Sequence, residues 1–269
     1  MRFQKAKLVF RKDWREVSRN WEVVLPMVIL PLIFSVVFPL VVIIPSGATK
    51  PGSYESLQKS LPINVQQELA GMTDQQVMLY FMLLYYFAPF FLIIPLMASS
   101  VIASDSFAGE KERKTIEALL ATPISDSELF LGKILVSFIP SIAITVASFL
   151  AYSTLVDALC SPIFGGRLLL PNPVWIMLIF GLAPTVALAG IGLTVIISTR
   201  VKGFREAQQI SVVLIIPIIA LVLAQASGAV FIGPVMVGAL IGGFAILDLL
   251  VFNVGIRLFG REEILARLA

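Results

Sequence analysis

The sequence predicts an all-α polytopic membrane protein with six transmembrane helices, an N-terminal interfacial amphipathic helix and a short water-facing helix between spans two and three. Three observations carry that prediction. Only 14% of the 269 residues are charged and 58% are hydrophobic, with a mean hydropathy of +0.95, whereas soluble domains carry roughly 25% charge. Charge is nearly absent from several stretches of about 20 residues, the length that crosses a ~30 Å hydrocarbon core. Lysine and arginine fall almost entirely on alternate connections between those stretches, as the positive-inside rule requires of a spanning chain.

The apolar stretches are Val23–Ile44, Met78–Ala103, Ile134–Val156, Val174–Ser198, Ile210–Ala226 and Val230–Val254. The first holds Pro26, Pro31 and Pro39, and the second Pro89 and Pro95. Membrane helices tolerate proline because neighbouring groups satisfy the freed carbonyls, so kinked helices are expected here. The last two stretches are separated only by Ser227, Gly228 and Ala229. A tight hairpin and two re-entrant half-helices would both produce that pattern. With the N-terminus inside, 17 Lys and Arg lie on the inner side and only Lys50, Lys59 and Arg167 on the outer side. That split predicts six spans with both termini cytoplasmic.

Composition also excludes functions. One cysteine, Cys160, rules out an internal disulfide or a CxxC motif, and the absence of histidine removes His metal sites and His general bases. The net charge of +3 sits beside apolar spans, so it points to lipid surfaces and not to nucleic acid. No cleavable signal peptide is expected, because the N-terminus alternates charged and apolar residues.

Residues 1–22 place Phe3, Phe10, Trp14, Val17 and Trp21 on one helical face, with most cations elsewhere. Trp14 and Trp21 are the expected anchors of a helix lying in the headgroup region. The connection 104–133 spends about 30 residues where a turn needs about 2–8. Gly109 is expected to interrupt it, Glu110–Leu120 to form a short helix with Ile116, Leu119 and Leu120 in a stripe, and Ser125 with Glu128 to open the next helix as a capping box. A stripe of that kind needs something to dock on. The outer connection, 45–77, fits either short amphipathic helices or a plain surface linker.

Nucleotide hydrolysis by this chain is not expected. Gly109, Lys114 and Thr115 mimic part of a P-loop, but Arg113 stands where the glycine before the lysine belongs. Inside the spans only Asp157 and Asp248 are charged. Asp157 fits a solvated helix end, whereas Asp248 fits either structural pairing or a transport pathway. Thr145, Thr185, Thr194 and Gln225 are expected to bond to their own backbone or to a neighbouring helix, and Gly181, Gly190, Gly192, Gly238 and Gly242 permit close helix packing.

The run from Asp105 to Pro123, DSFAGEKERKTIEALLATP, followed by Glu128 and Gly132-Lys133, resembles the permeases of type-two ABC exporters, in particular the NatB-like group. Arg205-Glu206-Ala207-Gln208-Gln209 and Arg261-Glu262-Glu263 are similar to that group as well. The resemblance implies a plasma-membrane exporter subunit with six spans, paired as a homodimer among membrane lipids. It binds two copies of a cytoplasmic ABC ATPase that hold ATP and Mg, with no cofactor in this chain itself. It implies that loop 104–133 supplies a cytoplasmic coupling helix in which Glu110, Glu112, Arg113, Thr115, Glu117, Leu119 and Leu120 transmit ATPase motion. Arg205 and Glu206 would form a second cytoplasmic contact. The cargo would be an ion, a drug-like amphiphile or a lipid-linked molecule. Two other classes are a secondary carrier or channel, which calls for buried ionisable residues or an inverted repeat, and a non-transporting transducer, which calls for a large external domain.

Overall fold

Long apolar runs in lipid must satisfy every backbone amide internally, which leaves helices as the local solution. In the computed structural model, residues 3–48, 63–115 and 125–258 are described, and they form helices with no strand among them. Helix α1 spans Phe3–Val17. The first membrane-length helix is α2, Trp21–Ser46, and a short helix, α3, covers Ile63–Leu69. The remaining five membrane-length helices are α4, Asp74–Glu112; α5, Asp126–Cys160; α6, Pro173–Ser198; α7, Phe204–Ala226; and α8, Pro234–Leu258.

Helix α4 is the axis of the bundle. In its most apolar stretch 67% is buried, against 11% for α8 at the periphery. Glycines let α6 sit close to its neighbours. A β-carbon on Gly181 would meet Ile241 at 2.7 Å, and one on Gly192 would meet Val251 at 2.4 Å. Gly242 has nothing within 4 Å, so the Gly238/Gly242 spacing makes no tight packing within the chain.

Pro26 and Pro31 lie within continuous α-helix, whereas α4 is irregular beside its proline. It passes through a π-helical turn at Met82–Tyr86 and a 3-10 turn at Pro89–Leu92, because Pro89 has no N–H to continue the ladder. Three carbonyls in this region accept bonds from three other spans. Tyr152 Oη donates to the carbonyl of Leu83 at 2.6 Å, Trp175 Nε1 to that of Leu84 at 2.8 Å, and Gln225 Nε2 to that of Tyr85 at 2.9 Å. Phe91, Tyr152 and Phe149 pack on Trp175 with centroids 4.9–5.5 Å apart. Thr145 and Thr185 bond to carbonyls one turn back, and Thr194 lies 3.3 Å from the Ser211 hydroxyl.

The ambiguous last pair resolves as a hairpin. Helices α7 and α8 each have the length to cross a bilayer, and the turn between them uses Gly228 at φ +76°. At the opposite end from α1, Asp157 is not merely solvated. Its Oδ1 accepts the amides of Leu169 at 2.8 Å and Leu170 at 3.1 Å, pinning the α5–α6 connection. Of the outer connection only its ends and α3 are described, where Val65 and Leu69 are buried; residues 49–62 lie outside the described residues.

Candidate functional site

The charged interior lies where α1, the C-terminal end of α4 and the start of α5 meet. Helix α1 turns Val9, Asp13 and Val17 inward at four-residue spacing, and all three are buried. Helix α4 widens into a π turn at Asp105–Gly109, so Asp105, Ser106 and Glu110 are also buried. Helix α5 begins with the expected capping box. The Ser125 hydroxyl accepts the Glu128 amide at 3.3 Å, and Glu128 accepts the Ser125 amide at 3.2 Å. That start places Lys133, two turns on, in the interior with no exposed side chain.

Lys133 Nζ donates to Glu110 Oε2 at 2.6 Å and to the Ser106 carbonyl, and lies 3.5 Å from Asp13 Oδ2 and 5.3 Å from the centre of the Phe107 ring. The Ser106 hydroxyl donates to Asp13 Oδ2 at 2.9 Å. From the other side, Lys12 Nζ reaches Glu110 Oε1 at 2.5 Å. Burial alone would lower the pKa of Lys12, but the hydrogen bond to Glu110 and the charges of Glu110, Asp13 and Glu16 outweigh it and hold the pKa above the ordinary value. Carboxylate oxygens of Asp13, Glu16 and Glu110 lie within 4.8 Å of one another, a spacing that could hold a cation. The Lys12 ammonium stands among them at 3.4, 3.6 and 2.5 Å. The three acids therefore already share a cation supplied by the chain.

Arg113 folds back across Gly109 to Asp105 Oδ1 at 3.0 Å and approaches Glu16 at 3.7 Å, and Asn20 donates to the same Asp105 oxygen at 3.2 Å. A side chain on Gly109 would obstruct that path, since its β-carbon would lie 3.0 Å from Asp105 Oδ1 and 3.1 Å from Arg113 Nη1. The helix then closes. Thr115 N bonds to the Glu110 carbonyl at 3.0 Å and Lys114 N to that of Lys111 at 3.2 Å, with Lys114 at φ +56°, which is a Schellman ending.

The expected break at Gly109 is therefore absent. Glu110–Glu112 finishes α4, the chain turns at Arg113–Lys114, and no continuous helix runs from Glu110 toward Leu120. The ladder persists through Gly109 because its neighbours are pinned from both sides. Glu110 itself, implied by the resemblance to lie on a transmission surface, points inward with 1% exposure, because a buried carboxylate needs the cations that Lys133 and Lys12 provide. Arg113 and Thr115 are exposed. Glu117, Leu119 and Leu120 lie outside the described residues, as do Arg261, Glu262 and Glu263.

Glu112 turns toward α7. Its Oε2 accepts the amide of Phe204, the first residue of α7, at 2.9 Å, while Lys111 Nζ donates to the Val201 carbonyl at 3.1 Å. Glu206 accepts the Lys202 amide at 2.9 Å, and Arg205 pairs with Glu22 at the start of α2 at 2.6 Å. Arg205 thus already has an internal partner although it is exposed. Ala108, Val201 and Ala207 form a small apolar contact beneath these bonds.

Trp14 and Trp21 are 38% and 74% exposed, on the outer side of α1 and at the start of α2. Asp248 is far from this cluster in sequence, and its Oδ1 is buried with no hydrogen-bond partner among the described residues. Sequence reasoning did not single out Asp13, Glu16, Glu22 or Gly203, and met Asp105 and Lys133 only as part of a pattern. The available signal for Asp13 was its place between Val9 and Val17, an acid on what is otherwise an apolar face.

A family model described as ABC-2 family transporter protein matches residues 8–259. No curated protein and no solved structure matches the chain. The family match runs from within α1 to the end of α8 and takes in all six membrane-length helices and the charged junction between α1, α4 and α5, so the chain belongs to the ABC-2 transporter family and is the membrane permease of an ABC transporter.

Proposed function

We propose that this chain is a NatB-like exporter permease that works as a homodimer in the plasma membrane, with two cytoplasmic ATPase subunits docked at loop 104–133. The observation that carries this reading is the junction around Glu110. One short segment is bonded to α1, to α5 through Lys133 and to α7 through Glu112, so a push on the loop reaches three helices at once. Outward partner contact falls to Arg113, Thr115, Glu117, Leu119 and Leu120, whereas Glu110 acts from inside. ATP-driven closure of the ATPase pair would then shift the spans between two packed arrangements.

A drug-like amphiphile or lipid-linked cargo fits the spans better than a bare ion. A cleft of about 340 Å³ between α4, α6, α7 and α8 is lined by Leu96, Val186, Leu193, Leu214, Phe244 and Leu247, and ions require several converging oxygens. The test is co-purification of the permease with candidate ATPases, followed by ATPase assays of Glu117→Arg. Loss of association or of coupled activity is expected. Full retention of both would overturn docking at this loop.

A further inference from the structure

We propose that Glu112 is a positioning residue that joins the first cytoplasmic connection to α7, so that loop motion is passed to the fifth span through the Glu112–Phe204 bond. The inference rests on the permease reading above but assigns Glu112 a different task from partner contact. Glu112 is exposed, yet its carboxylate is committed to the chain's own backbone, 2.9 Å from the first amide of α7. That amide is one of the N–H groups a helix N-terminus cannot satisfy for itself, and a negative charge there is further favoured by the helix dipole. An ordinary N-cap side chain serves the second or third amide of a helix, and here the residue at that place is Gly203, which has no side chain to offer. An acid 92 residues earlier in the chain supplies the bond instead.

Gly203 is needed for closeness rather than for its torsion. Its backbone is extended, at φ −162° and ψ −179°, which any residue can adopt. A β-carbon there, however, would lie 2.5 Å from Glu112 Oε2 and 2.8 Å from its carboxyl carbon. Substitution would therefore push the carboxylate off Phe204. The Lys111–Val201 bond and the Ala108–Val201–Ala207 contact hold the same two segments together, and α7 continues from this joint through the membrane without a loop. Displacement of Glu112 thus has a short, bonded path to α7.

Two measurements test the joint. In the purified permease alone, hydrogen exchange at Phe204 should quicken by about five-fold in Glu112→Ala, the equivalent of one lost N-cap. It should stay near wild type in Glu112→Gln, whose amide oxygen still accepts. Gly203→Ala should match Glu112→Ala, and the double variant should add nothing further. Unchanged exchange in Glu112→Ala would overturn the bond. In nanodiscs with the ATPase bound, spin labels at Ser18→Cys and Gln209→Cys should report a distance change on adding MgATP. Glu112→Ala should lose at least half of that change and Glu112→Gln should keep it. A full change in Glu112→Ala would sink the joint, as would loss of ATPase association in that variant with normal Phe204 exchange, which would make Glu112 a partner contact. Failure of the wild-type chain to bind any ATPase would instead defeat the permease reading and leave the exchange result standing.

Discussion

Lys133 shows how much one buried charge can hold. Its ammonium lies against Glu110, Ser106 and Asp13 with none of its side chain exposed. Lys133→Met would remove the buried ammonium from Glu110 and Asp13 and leave Lys12 to serve both acids, and breaking a buried pair costs about 3–5 kcal/mol. Unfolding in detergent micelles should show that loss, and the double change Lys133→Met with Glu110→Leu should recover a good part of it, since the acid left at that position is Asp13, which keeps the Ser106 hydroxyl and Lys12. Equal stability of Lys133→Met and wild type would show that the network does not hold the junction. Lys12 gives a pH signature. Its pKa is raised above 10.5 by Glu110 and the neighbouring acids despite burial. The stabilisation it contributes is complete below pH 10.5 and disappears as pH rises through the raised folded value. Trp14 emission should therefore stay constant up to about that pH and change above it, and Lys12→Met should abolish the transition. The sequence announced the residue types of this cluster but not their pairing. Asp13 and Lys133 are 120 positions apart, and nothing local says that they meet.

At the scale of single elements, α4 is the informative case. Pro89 and Pro95 were enough to expect an irregular helix. Which groups repair it depends on three other helices, since Tyr152, Trp175 and Gln225 each take one of three successive carbonyls. Each such bond in a membrane is worth about 0.6–1.7 kcal/mol. Tyr152→Phe and Gln225→Leu should each destabilise by that order in thermal unfolding, and Trp175→Phe by somewhat more, because the indole also packs on Phe91, Tyr152 and Phe149. A loss confined to Trp175→Phe would mean that ring packing, and not the carbonyl bonds, secures the break. Helix α1 teaches a related lesson. The expected stripe over residues 1–22 held only in part: α1 ends at Val17 and Trp21 opens α2, and the face buried in the bundle is Val9, Asp13 and Val17 while Trp14 stays outside.

For the molecule as a whole, the ends of the spans differ in charge and the sides differ in burial. Exposed apolar residues such as Leu25, Val28 and Leu32 on α2, Ile216 and Leu223 on α7, and Ile246 and Leu249 on α8 cover its outer surface, as expected of helices meeting lipid or another apolar partner. The orientation expected from charge is open to a direct check. An impermeant maleimide should label Arg167→Cys in intact cells, and Lys114→Cys and Lys202→Cys only after the membrane is opened. All three sites are exposed, while the native Cys160 is buried. The reverse labelling pattern would invert the topology.

Composition and hydrophobic runs by themselves determined the class of protein and the number of spans, because a bilayer imposes the same length and hydrogen-bonding demands on every chain that crosses it. They also raised the expectation, carried into the proposed function, that loop 104–133 is the segment with work to do. Only the tertiary structure decided that Glu110 faces inward to Lys133, that Glu112 caps α7, and that the chain turns at Arg113–Lys114 instead of breaking at Gly109. Those outcomes depend on which distant charges and amides come within about 3 Å of one another, and separation along the chain carries no record of that.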